Sequence, residues 1–195
     1  MTAITSLLLN LGCGRDVLPG WVNLDHRAGP GVDVVADLDD CARTRLPFDD
    51  DSVAEVRMSH VLEHITHTLP LMAELHRVVR REARLTIHVP HGASDDAWED
   101  PTHVRAYFPS SFSYFSQPYY WRADYGYRGD WQPDQVVLMV PTVIAERQSM
   151  AVLCERVLRE RNLVTEMVAT LHAVKPVRAP DRALIVNPQV IVLPR

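Results

Sequence analysis

SLLLNLGCG, residues 6–14, is the stretch that decides the fold class. A leucine-dominated run from Ser6 to Leu11 has the length of a short buried strand, and Gly12 and Gly14 close it. Glycine lets the chain turn sharply and lets a ligand touch the backbone, because no Cβ stands in the way. Working outward, WVNL (21–24) and VDVV (32–35) read as a second and third strand, stopped by Asp25 and Asp37. VAEVRM (53–58) reads as a fourth, and LTIHV (85–89) as a fifth closed by Pro90. Leu71, Leu75, Val78 and Val79 recur at helical spacing, which predicts an amphipathic helix over 69–81. Strands alternating with helices argue for an α/β fold, a parallel sheet with crossovers.

The rest of the chain differs in character. Twelve of the fourteen Phe, Trp and Tyr residues fall between Trp98 and Trp131. With its Pro, Ser and Asp, the segment 91–131 reads as a long packed insertion with a short helix near Ser110–Phe115. Gln135 to Val140 reads as a strand. A helix is predicted over 143–161, burying Ile144, Val152, Leu153 and Val157. Glu166 to Val174 and Leu184 to Leu193 are β-rich. Asn187-Pro188 interrupts the second, so it is two short strands or an edge hairpin. One domain over 1–195 is expected, with 7–90 holding a ligand and 132–195 completing the sheet.

Composition narrows the function. The net charge of -5 argues against a sequence-independent grip on nucleic acid, so no nucleic-acid partner is expected. Arg77, Arg80, Arg81 and Arg84, and Arg156, Arg159 and Arg161, read as solvated helix faces or ends. Cys13, Cys41 and Cys154 show neither a zinc spacing nor a disulfide framework, which fits a cytoplasmic protein. No apolar stretch reaches membrane-spanning length and no leader pattern is evident, so no membrane is expected either. The β-rich C-terminus offers a pairing edge, through which a homodimer would form.

A lone Gly-x-Gly is only a turn signal. In open parallel sheets, however, ligands bind beyond the carboxyl ends of strands, where the strand order switches. An acidic residue ending the neighbouring strand can accept hydrogen bonds from both hydroxyls of a ribose. Asp25 stands in that position. Only ten residues separate Gly14 from Asp25, whereas a dinucleotide-binding unit spaces its acid by about 20 residues. The first crossover helix is therefore stunted or replaced by a loop through Pro19-Gly20, which disfavours NAD and admits a cofactor without phosphates.

LNLGCG (9–14), LPGWVNLD (18–25), VDVVADLDD (32–40), LPFDDDSVAEVRMSHVLEHI (46–65) and ELHRVVRREARLTIHVP (74–90) together resemble the class I S-adenosylmethionine-dependent methyltransferases, in particular the methyltransferase type 11-like group. DPTHVRAYFPSSF (100–112) extends the likeness. The resemblance implies a Rossmann-like sandwich with a mostly parallel seven-stranded sheet, an antiparallel C-terminal strand and an aromatic-rich insertion after the fifth strand. It implies S-adenosylmethionine as cofactor and S-adenosylhomocysteine as product. Leu11, Gly12, Cys13 and Gly14 would underlie the methionine and ribose. Asp25 would bind the ribose hydroxyls, Asp37 and the Leu38 backbone would meet the adenine, and Ser59 and His60 would line the methionine end. Glu63 and His64 read as capping and packing residues.

Methyl transfer from a sulfonium needs mainly a positioned nucleophile, and a base where that nucleophile carries a proton. His103, oriented by Asp100, is the first candidate for the base, and His60 the second. His88 reads as a core residue. His91, Arg105, Tyr107 and Trp98 are candidate acceptor contacts under an aromatic cap, 91–131, which suits a flat, aromatic small molecule. His91, Asp95, Asp96, Asp100 and His103 would be the donors for a divalent ion, but their spacing matches no ligand motif and no metal is expected. The leading expectation is an O- or N-methyltransferase of a biosynthetic pathway. A non-catalytic binding module is the alternative, and a base methyltransferase the least favoured, since MSHV (58–61) lacks the Asn/Asp-Pro-Pro-aromatic signature.

Overall fold

The computed structural model describes residues 7–195; Ser6, expected to open the first strand, lies outside the described residues. The strands are β1 (Leu7–Leu11), β2 (Val22–Asp25), β3 (Val34–Val35), β4 (Val53–Ser59), β5 (Val79–Pro90), β6 (Trp131–Val140), β7 (Glu166–Ala173) and β8 (Gln189–Pro194). They form one sheet in the order β3-β2-β1-β4-β5-β7-β6-β8. Strands β1 to β5 pair in parallel. Strand β7 is antiparallel to both its neighbours, while β8 runs parallel to β6. The expected seven strands are thus eight, and the antiparallel strand is the last but one. Asn187-Pro188 precedes a single edge strand, not a hairpin.

The register shows what holds the sheet. Leu24, Leu11, Met58, Ile87, Ala169 and Val136 are successive register partners, and all are fully buried. One residue earlier or later the side chains turn to the other face, because the strand period is two. There the row reads Asn23, Asn10, Arg57, Thr86, Thr170, Gln135 and Gln189, polar throughout. A parallel sheet covered by helices on both faces has apolar residues on both. Here the connections 12–21 and 26–33 contain no helix, so the polar row stands where a second helical layer would pack.

On the apolar face lies α1 (Thr68–Val78), burying Leu71, Met72, Leu75 and Val78. It ends three residues before the predicted Arg81, because Val79 enters β5 and pairs with Val53. The aromatic insertion packs beside it. Phe112 and Phe115, from a 3-10 turn over Pro109–Phe115, join the same hydrophobic cluster as Leu75 and Leu85. Trp131 Nε1 donates to the Met72 carbonyl at 2.9 Å, fastening the end of the insertion to α1. Each large ring buries about 150–250 Å², so the insertion supplies the apolar cover of a helical layer. Two short helices follow, α2 (Asp96–Glu99) in the insertion and α3 (Thr142–Ala145) after β6; α4 (Met150–Arg156) comes next. The single helix predicted over 143–161 is broken because extended Ser149 caps α4, its side chain accepting from the Val152 amide. Among the described residues no helix is long and apolar enough to cross a membrane.

Arg77 is not on a solvated face. Its guanidinium donates to both Glu74 oxygens, to Asp50 and to the Leu46 and Phe48 carbonyls. Glu74 in turn accepts from the Leu46 amide at 2.8 Å.

Candidate active site

The turn after β1 and the acid after β2 are one unit. Gly12 and Gly14 have φ of +60° and +50°, a region that side-chain-bearing residues rarely adopt. The Cys13 amide donates to the Leu24 carbonyl at 3.0 Å, and the Gly14 amide to Asp25 Oδ2 at 2.8 Å. Asp25 Oδ1 accepts from the Arg27 amide at 3.1 Å and stands 3.0 Å from His26 Nδ1. Burial pulls the Asp25 carboxyl up, but these amides and His26 together hold it below the usual carboxylate range. A Cβ on Gly12 would fall 2.4 Å from Val61 Cγ2, so this glycine admits the chain leaving β4. A Cβ on Gly14 would meet nothing within 4 Å, so the space above that backbone is open to a ligand. Leu11 and Cys13 are buried; burial, more than nearby Asp25, pushes the Cys13 thiol up.

Asp37 Oδ1 accepts from the Asp39 amide at 2.9 Å and so caps a 3-10 turn, Leu38–Asp40. The Leu38 side chain is in the core, which leaves its backbone as the part available to a ligand. Asp39 in turn accepts from the His67 amide at 2.6 Å.

Ser59 ends β4, and His60 follows with a strained φ of +55°. Such strain in a non-glycine residue persists where the surroundings over-determine it. His60 Nε2 stands 3.0 Å from Glu166 Oε1, and Nδ1 3.4 Å from Glu63 Oε1. Glu63, then Glu166, outweigh burial and push the His60 imidazolium up. Glu166 also faces His88 Nδ1 at 3.4 Å and pairs with Arg195. His88 is therefore a half-buried partner of Glu166 on the polar face of the sheet, not an apolar-core residue.

Two cavities flank this region. One, of about 670 Å³, is lined by His60, Pro90, Asp96, Glu99, Asp100, His103, Thr165, Glu166 and Arg195. It brings together both candidate bases. His103 Nε2 lies 3.9 Å from Asp100 Oδ2, within ion-pair range but beyond a hydrogen bond. The other cavity, of about 660 Å³, lies between the start of α1 and the insertion. Arg105 and Tyr107 line it, with Phe108, Tyr114, Phe115, Tyr120 and Tyr125. The Tyr107 hydroxyl donates to the Leu62 carbonyl at 3.3 Å. His91 and Trp98 line neither cavity. His91 is buried edge-on against Phe108, and burial holds its imidazolium down. Trp98 is largely exposed and donates to the Gly92 carbonyl. Sequence reasoning missed Glu166, which opens a strand and carries no motif. It read Glu63 as a packing residue, yet the carboxylate is buried against three histidines.

The first five strands form a half-sheet with the glycine turn and Asp25 at their carboxyl ends, where open parallel sheets bind ligands. Residues 9–87 match the family model described as a methyltransferase domain. Among solved structures the chain is similar to an S-adenosylmethionine-dependent methyltransferase from Archaeoglobus fulgidus, at 15% identity and a TM-score of 0.56, covering 86% of each chain. It is similar to another from Thermotoga maritima, at 11% identity and a TM-score of 0.54, covering 86% of this chain and 82% of that one. A third, from Aquifex aeolicus, is 14% identical with a TM-score of 0.52, over 87% and 82% of the two chains. No curated protein matches the sequence. The matched half and the fold of the chain support a class I S-adenosylmethionine-dependent methyltransferase. Residues 9–87 are similar to that domain family, and the match and the fold together imply S-adenosylmethionine as the cofactor.

Proposed function

We propose that the chain methylates an oxygen or nitrogen of a small polar molecule held in the cavity of His60 and His103. The observation that carries this is the contact of Val61 with Gly12. His60, the residue before Val61, lines that cavity, which supports reading the cavity as the acceptor side of the glycine turn. S-adenosylmethionine supplies a methyl group already activated by its sulfonium. Leu11 to Gly14 would underlie its methionine and ribose, Asp25 would accept from the ribose hydroxyls, Asp37 and the Leu38 backbone would meet the adenine, and Ser59 would line the methionine end. What the remaining residues add is position, which can contribute roughly 7–11 kcal/mol.

His60 is better placed than His103 to take a proton from an acceptor, with 52% of its side chain exposed against 9%. Glu166 accepts the Nε2 hydrogen and orients the ring, as a carboxylate does for the histidine of a catalytic triad, leaving Nδ1 to take the proton from the acceptor. Asp96, Glu99, Asp100 and Glu166 suit an acceptor bearing amine or hydroxyl groups. Residues 91–131 contribute walls to both cavities, which supports reading them as the acceptor-side segment.

The test is release of S-adenosylhomocysteine from the full chain offered a panel of small amines and alcohols, with RNA and DNA as separate arms. Turnover on a small molecule is expected, and His60→Ala should lower it by about 10²–10⁴-fold, a far larger loss than in cofactor affinity. Turnover on nucleic acid alone would refute the acceptor class, and undiminished turnover in His60→Ala would refute the base.

A further inference from the structure

Behind the wall of the His60–His103 cavity, Glu63, His64 and His103 each bring one ligand atom to within 4.8 Å of the other two. Glu63 is 1% exposed, and neither of its carboxylate oxygens has a hydrogen-bond partner among the described residues. His103 Nδ1 is likewise buried without a partner. A buried carboxylate that accepts no hydrogen bond is costly, because its lost hydration is not fully replaced. His60 Nδ1, 3.4 Å from Glu63 Oε1, offers charge without hydrogen-bond geometry.

Hydrogen bonds set the His64 imidazole for ligation, and the charge of Asp100 favours the same for His103. Thr102 Oγ1 donates to Asp100 Oδ1 at 2.6 Å, so its oxygen is an acceptor toward His64 Nδ1 at 3.0 Å. The Thr102 carbonyl, 3.3 Å away, accepts from the same nitrogen. His64 Nδ1 therefore carries the hydrogen, and Nε2 keeps the lone pair. Asp100 Oδ2, 3.9 Å from His103 Nε2, favours the hydrogen there and leaves the lone pair on buried Nδ1. Carboxylates and carbonyls that fix histidine tautomers in this way are the usual surroundings of metal-ligating histidines. The rings stand edge to face, 4.7 Å apart. The Val104 amide donates to the Glu63 carbonyl at 2.9 Å and locks the two loops together.

We propose that Glu63, His64 and His103 bind a divalent transition-metal ion of the zinc type. Two imidazoles and one carboxylate leave a fourth position for water or an acceptor atom, the pattern of zinc sites that take part in chemistry. His103 lines the cavity while its Nδ1 is buried, so the ion would sit behind that wall. The donor set differs from the one weighed in the sequence, sharing only His103 with it and keeping Asp100 as an orienting group. The proposal rests on these residues and not on the identity of the methyl acceptor.

The test is titration of the chelator-stripped full chain with Zn²⁺ by calorimetry, and with Co²⁺ by visible absorption. One equivalent is expected, with the d–d bands of a low-coordinate cobalt site. Glu63→Gln should weaken binding roughly 100-fold or more, and exposed Asp100→Ala by about 10–100-fold. Cofactor calorimetry on each variant reports whether it is folded. Absence of Zn²⁺ binding to the folded wild type at millimolar metal would overturn the proposal. So would equal binding by wild type and Asp100→Ala together with equal binding by a folded Glu63→Gln. Metal binding without methyl transfer would leave this site standing and refute the proposed reaction; the reverse result would do the opposite.

Discussion

The Gly14 amide donates to Asp25 Oδ2 at 2.8 Å, so the turn after β1 and the acid after β2 hold each other in place before any ligand arrives. Asp25 is therefore a structural acceptor that also stands beside Gly14, whose Cβ position is open. Asp25→Ala should weaken S-adenosylmethionine binding by at least roughly 1.5–3 kcal/mol, the worth of a charged hydrogen bond, measured by calorimetry. Because the folded carboxyl lies below its ordinary value, its stabilising contribution is present above about pH 4 and fades as pH falls through the lower folded value. The stability gap between wild type and variant, read from melts over pH 3 to 6, should narrow at the acid end.

The two glycines of the turn separate stability from binding. Gly12→Ala drives a methyl group to 2.4 Å from Val61 Cγ2 at a positive φ. It should destabilise by about 1–3 kcal/mol as overpacking does, lowering the melting temperature. Gly14→Ala meets nothing within 4 Å, so its stability cost is the backbone term alone, about 1–2 kcal/mol. Its larger effect should be on cofactor affinity. If Gly14→Ala binds S-adenosylmethionine as wild type does, the open space above it is not the cofactor site.

Arg77→Ala removes the partner of Glu74, whose side chain is 8% exposed. Stripping one member of a buried pair costs about 3–5 kcal/mol, and the partial exposure of Arg77 places this variant toward the lower figure. Denaturant unfolding should show it, with Arg77→Lys intermediate because an ammonium cannot serve the carboxylate and two carbonyls at once.

His91 is held neutral by burial against Phe108. Its folded value lies below the ordinary 6.5, so the unfolded chain takes the proton first as pH falls. Stability is therefore lost on descending through about pH 6.5 and levels off below the folded value. His91→Gln should flatten that slope in melts between pH 5 and 7.5. An unchanged slope would show that other histidines carry it, His76 and His88 being similarly depressed by burial.

Much of the cofactor half was legible. SLLLNLGCG, Asp25 and the β4 exit carry short-range signals: apolar runs of strand length, glycines at positive φ, and acids at strand ends. The short path from Gly14 to Asp25 also foretold the missing crossover helix. What was illegible depended on distant pairing. Nothing near Glu166 announces that it meets His60, because the two are 106 residues apart in sequence and adjacent only after β7 enters the sheet beyond β5. Arg77 read as solvated because its partners Asp50 and the Leu46 and Phe48 carbonyls lie on another loop.

By itself the sequence determined the parallel half-sheet and the glycine turn with its acid, because each is written in contiguous residues whose periodicity and stereochemistry admit few alternatives; the methyl donor came from the family resemblance those residues carry. Only the tertiary structure decided that the aromatic segment covers one sheet face, that the opposite face is a polar row, and that Glu63 is buried among His60, His64 and His103. Those outcomes follow from which surfaces meet when the chain closes. Burial, desolvation and the sharing of a carboxylate are properties of that meeting, and no single stretch of the chain contains them.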